Sequence, residues 1–146
     1  MKRKALLLVC VLALFGLMAH ADNDKPIDVA SLPTAARQFI DKYFAGEKIA
    51  MAKQETELMS RTYEVIFASG KHVGFDSKGA WDEVDCGKAA VPDGIVPNPI
   101  VEYVTATYPQ ERIVKIDKDR KEYEVKLSNG LELTFDNRYK LIDIDD

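Results

Sequence analysis

The residues of this 146-residue chain whose types could do chemistry are few: His72, Cys86 and the carboxylates Asp82, Glu83 and Asp85 between them. A zinc site needs several His or Cys ligands at matched spacing. Here one histidine stands near one cysteine, and the other pair, Cys10 and His20, lies within the first 21 residues. Serine hydrolysis would need His72 set between a buried carboxylate and an activated serine, and no serine motif is present. Cys86 has acidic neighbours, which raise a thiol pKa and suppress the thiolate, so it reads as a small residue at a strand end. Asp82, Glu83 and Asp85 align, 60 residues on, with Ile142, Asp143 and Asp145, but neither set has the glycine and distal glutamate of a calcium loop. Gly70, Gly79 and Gly130 sit at turns rather than in a phosphate-binding loop. The expectation is therefore no catalytic residue, no cofactor and no metal ligand.

The N-terminus carries an address. Lys2, Arg3 and Lys4 precede an apolar stretch from Ala5 to Met18, and Ala19-His20-Ala21 has the small-x-small pattern of a cleavage site. That stretch is shorter than the roughly 20 residues of a membrane span. Cleavage after Ala21 moves the formal charge from −4 to −7, because Lys2, Arg3 and Lys4 leave and no acid does. An acidic, exported chain argues against nucleic acid and anionic membrane surfaces as partners. With Cys86 alone remaining, no internal disulfide can form, and packing must hold the fold. The location expected is periplasmic or secreted.

The elements that must position these residues occur twice. Leu32-Pro33 returns as Val96-Pro97 at an offset of 64; Tyr63-Glu64-Val65, Gly70 and Phe75-Asp76 return at 60. The first copy thus holds four extra residues between Lys53 and Thr62. Ala36, Phe39, Ile40 and Tyr43 form a helical stripe, matched by Ile100, Tyr103, Val104 and Thr107, with Thr34 and Asn98 as candidate caps. Period-2 segments follow each helix: Lys48–Gln54, Thr62–Ala68, Lys71–Asp76 and Ala80–Asp85, then Ile113–Asp117, Tyr123–Ser128, Leu131–Asp136 and Lys140–Ile144. The fold class predicted is α+β, a tandem repeat of a helix plus a four-stranded antiparallel sheet, with the helices on one sheet face. The domains are residues 1–21 as signal peptide, 22–86 as first repeat, 87–95 as linker and 96–146 as second repeat.

Alternation separates the faces. Tyr63, Val65, Phe67, Val73 and Phe75, with Tyr123, Val125, Leu127, Leu131, Leu133 and Phe135, should face the helices. Glu64, His72, Asp76, Glu124, Lys126, Glu132, Thr134 and Asp136 should face water. Strict parity also places Ile66, Trp81 and Leu141 outward, with Met51 beside them. Met51, Ile66, His72, Trp81 and Leu141 are the candidate partner-binding face, since Met and aromatic residues favour interface cores; the rival reading folds Trp81 over the edge of the core.

The paired Leu-Pro and Val-Pro helices, Tyr-Glu-Val, the turn glycine, Phe-Asp, and Trp81 with Asp85 downstream resemble the PepSY-like family of secreted bacterial proteins, described as similar in fold to beta-lactamase inhibitor protein. The resemblance runs from about Leu32 to Asp146. It implies a helix on a four-stranded sheet in each half, with the halves able to join into a longer sheet, and a role in binding or restraining peptidases. The function expected is a non-catalytic module that binds a protein or peptide and inhibits an enzyme such as a peptidase. The alternative is a small-ligand or metal-ion binding protein.

Overall fold

The computed structural model describes residues 24–146; the expected signal peptide and its cleavage site lie outside them. Nine strands run in chain order: β1 Asp24–Ile27, β2 Ile49–Glu57, β3 Ser60–Phe67, β4 His72–Phe75, β5 Trp81–Asp85, β6 Ile113–Lys118, β7 Glu122–Leu127, β8 Glu132–Asp136 and β9 Leu141–Asp145. Each pairs antiparallel with the next, giving one sheet ordered β1 to β9. Helix α1 spans Thr34–Tyr43 and α2 Asn98–Thr107.

This corrects the predicted fold class. The described residues form not a tandem repeat of helix plus four-stranded sheet but a single sheet, mostly β, with two ten-residue α-helices. The cause is the seam at the middle. Two separate sheets would leave the edges of β5 and β6 with unpaired N–H and C=O groups. Instead Glu83, Val84 and Asp85 pair with Asp117, Ile116 and Lys115. The ninth strand, β1, adds to the outer edge of β2 with Pro26 opposite Lys53. Its proline and single apolar residue gave no alternating signal, and an edge strand is where proline is tolerated.

One lateral row of side chains makes the floor of the core: Ala52, Val65, Val73, Val84, Ile116, Val125 and Leu133, each opposite the next. All seven are buried. Ala36 and Ile40 of α1, and Ile100 and Val104 of α2, close over them at i, i+4 spacing. The helices start at Thr34 and Asn98, with Pro33 and Pro97 in the cap positions and no side-chain cap, so neither Thr34 nor Asn98 is the cap. The Pro33 and Pro97 carbonyls accept from Arg37 and Val101, each at 3.2 Å. Cys86, just past β5, is buried and free, and burial pushes its thiol pKa up.

Candidate functional site: the open sheet face

The helices cover one face, and among the described residues nothing covers the other. Two rows cross it. The first runs Met51, Ile66, His72, Asp85, Lys115, Lys126, Glu132 and Asp145, each paired with the next. The second runs Lys53, Glu64, Gly74, Glu83, Asp117, Glu124, Thr134 and Asp143. Gly74 interrupts the second row with no side chain. A shallow depression of about 220 Å³ opens there, walled by Lys53, Glu64, Asp82 and Glu83. Asp82 Oδ1 would lie 2.8 Å from a Cβ at position 74, so glycine leaves that carboxylate its place.

The centre of the face is crowded with negative charge. Glu83 stands opposite Asp117, and Asp117 opposite Glu124; like charges directly across a sheet destabilise it. Partial burial, against the pull of Lys115 and reinforced by Glu83, raises the pKa of Asp117 from its ordinary value, and burial with Glu83 and Asp76 raises that of Asp82. Lys115 sits between, its Nζ 3.6 Å from Glu83 and 3.5 Å from Asp117. Burial works against its charge, but the neighbouring carboxylates outweigh it and raise its pKa. Toward β1, Lys53 bridges Asp24 at 3.1 Å and Glu64 at 3.2 Å.

His72 lies directly across from Asp85. Its Nε2 is 3.1 Å from Glu83 Oε1 and 3.8 Å from Asp85 Oδ2. These three side chains are the group of possible metal ligands among the described residues, with ligand atoms within 4.8 Å of one another. Sequence reading set His72 and the acidic run apart, because only the β4–β5 pairing makes them neighbours.

Of the five residues predicted for a partner face, the structure brings together Met51, Ile66 and His72, consecutive in the first row. Trp81 and Leu141 go to the other side. A bulge at Asp82 inserts one residue between the Gly74–Glu83 and Phe75–Trp81 pairs, and one at Ile142 does the same between Thr134–Asp143 and Phe135–Leu141. Each bulge reverses parity, so Trp81 and Leu141 pack against the core beside Phe75 and Phe135. The Trp81 ring is 6.2 Å from Phe39, and Lys118 Nζ lies 4.0 Å above it. Trp81→Ala is therefore expected to cost about 2 kcal/mol, part of a fully buried aromatic truncation, plus the cation–π contact. Chemical denaturation reads it; unchanged stability would place the indole in solvent.

One apolar feature was missed. Leu58 and Met59, in the turn joining β2 to β3, are fully exposed. Leu58 has φ 51°, a left-handed conformation that leucine adopts at a cost. The signal was available: the four extra residues of the first copy fall in this hairpin, whereas the β6–β7 turn holds the polar Asp119, Arg120 and Lys121.

A one-layer antiparallel sheet backed by helices, with a charged open face, defines the structural class. The family model described as "Putative beta-lactamase-inhibitor-like, PepSY-like" matches residues 61–143. Three solved structures are similar over most of the chain. A "putative calcium-regulated periplasmic protein" from Bacteroides thetaiotaomicron is 51% identical with TM-score 0.84, the match covering 86% of this chain and 99% of that one. A "putative periplasmic protein" from Bacteroides vulgatus is 48% identical with TM-score 0.84, over 86% and 99%. Another from Bacteroides vulgatus, of unknown function, is 40% identical with TM-score 0.80, over 84% and 99%. No curated protein matches the chain. The chain belongs to the PepSY-like family. All three are described as "putative" periplasmic proteins, in agreement with the expected periplasmic location, and no helix among the described residues is long and apolar enough to cross a membrane.

Proposed function

We propose that this protein is a non-catalytic periplasmic module that docks a protein or peptide partner through the β2–β3 ribbon and the open sheet face beside it. The observation that carries this reading is the ribbon itself. It offers apolar side chains to solvent twice, as Met51 beside Ile66 and as Leu58 with Met59 at the tip. An exposed Leu-Met pair in a turn with positive φ at Leu58 has two costs, strain and unburied apolar surface, and among the described residues no contact offsets either. A partner with an apolar pocket would offset both. Family membership supports the reading, since the family is described as inhibitor-like.

The test is paired capture from periplasmic extract on the immobilised wild-type protein and on the Leu58→Ser, Met59→Ser double variant. A partner held by the wild type should bind the variant more weakly by about 2 kcal/mol or more, the scale of an interface hot spot. Equal retention by both proteins would remove the hairpin from the interface.

A second reading, an ion-responsive protein, is supported by the His72, Glu83 and Asp85 group together with a relative described as calcium-regulated.

A further inference from the structure

We infer that His72, Glu83 and Asp85 form a surface site for a borderline transition-metal cation of the Zn²⁺ class rather than for calcium. The inference rests on the ion-responsive reading and names its ion.

The three donors come from two adjacent, hydrogen-bonded strands. His72 on β4 faces Asp85 on β5, and Glu83 lies two residues before Asp85 on the same strand and face. They stand on sheet backbone, not on a loop that must first be ordered. Zinc bonds of about 2.0–2.1 Å in a tetrahedron place donors about 3.3 Å apart. The separations from His72 Nε2, 3.1 Å to Glu83 Oε1 and 3.8 Å to Asp85 Oδ2, bracket that value. Small side-chain rotations would close a trigonal set and leave a fourth position toward solvent.

Donor chemistry selects the ion. Calcium takes six to eight oxygens, whereas an imidazole nitrogen with two carboxylates suits zinc and its neighbours. The same sheet positions 60 residues on hold Glu132, Asp143 and Asp145, all oxygen donors. That set lacks the imidazole and serves as an internal control. The resident cation is no obstacle. Lys115 touches Glu83 at 3.6 Å but also Asp117 at 3.5 Å, so it keeps a carboxylate when a metal takes Glu83.

The experiment is calorimetric titration of the purified protein with zinc chloride alone and with calcium chloride alone, repeated on His72→Ala, Glu83→Gln and Glu132→Gln. Histidine ring resonances are followed by NMR as a direct reading of the site. The expected result is one zinc equivalent that shifts the His72 resonances, tenfold or more weaker binding in His72→Ala and Glu83→Gln, and no change in Glu132→Gln. Thermal melts establish that each variant is folded, and all three positions are on the surface layer. Zinc binding that survives His72→Ala overturns the inference. So does calcium binding without zinc binding at these residues, which would leave the ion-responsive reading standing. No heat and no shift of the His72 resonances with either ion overturns both.

Discussion

Replacing Phe75 or Phe135 by alanine is expected to remove about 3–5 kcal/mol of folding stability in each case. Both rings are fully buried, at matching places in β4 and β8. Phe75 meets Phe39 of α1 edge-on at 5.7 Å, and Phe135 meets Tyr103 of α2 at 5.6 Å. Each truncation therefore empties the layer between a helix and the sheet, losing both transfer energy and the aromatic contact. The core beneath the two helices is a single cluster, so urea unfolding should remain one cooperative transition in both variants, with the midpoint lowered and the slope kept. Losses below about 0.5 kcal/mol, typical of surface positions, would reverse the assignment of the covered face.

Gly79→Ala is the second large effect. Gly79 ends the β4–β5 turn at φ 85°, donating its N–H to Asp76 at 3.0 Å. A Cβ there would lie 2.7 Å from Pro33 Cβ, 3.0 Å from Ala36 N and 3.3 Å from Ala35 Cβ, against the first turn of α1. Two costs add: left-handed strain of about 1–2 kcal/mol and overpacking of about 1–3 kcal/mol against helix atoms that cannot swing away. Gly130, at φ 94° with nothing within 4 Å of its Cβ position, isolates the first cost. Gly130→Ala should lose only the strain, and the difference between the two melting curves measures the close approach of α1. Equal losses would mean that the helix can move aside. The equivalent turn 60 residues on takes the left-handed conformation without a glycine: Tyr139 has φ 65°, donates its N–H to the Asp136 carbonyl at 2.9 Å, and sets its ring at a tilt to Tyr123 with centroids 5.4 Å apart.

The candidate site was legible only in part. Alternation correctly set Glu64, His72, Glu124 and Lys126 against Val65, Val73 and Val125, because each of those strands is regular across its pairs. Counting by twos failed at Trp81 and Leu141, where bulges at Asp82 and Ile142 insert a residue that alternation cannot register. The hairpin tip was visible as a length difference, but length says nothing about exposure. The acidic run was visible as composition, but its histidine lies on another strand.

By itself the sequence determined what is local. Period-2 alternation marked eight of the nine strands, i, i+4 stripes marked both helices, and glycines marked the turns at 70, 79 and 130. Hydrophobic periodicity and turn chemistry act over a few residues, so they are written in consecutive positions. Only the tertiary structure decided that the two halves share one sheet, that β1 closes its edge, that Trp81 joins the core, and that His72 meets Glu83 and Asp85. Each of these depends on which strand edge finds which partner. That choice is made by satisfying backbone hydrogen bonds between segments distant in the chain, and no local pattern records it.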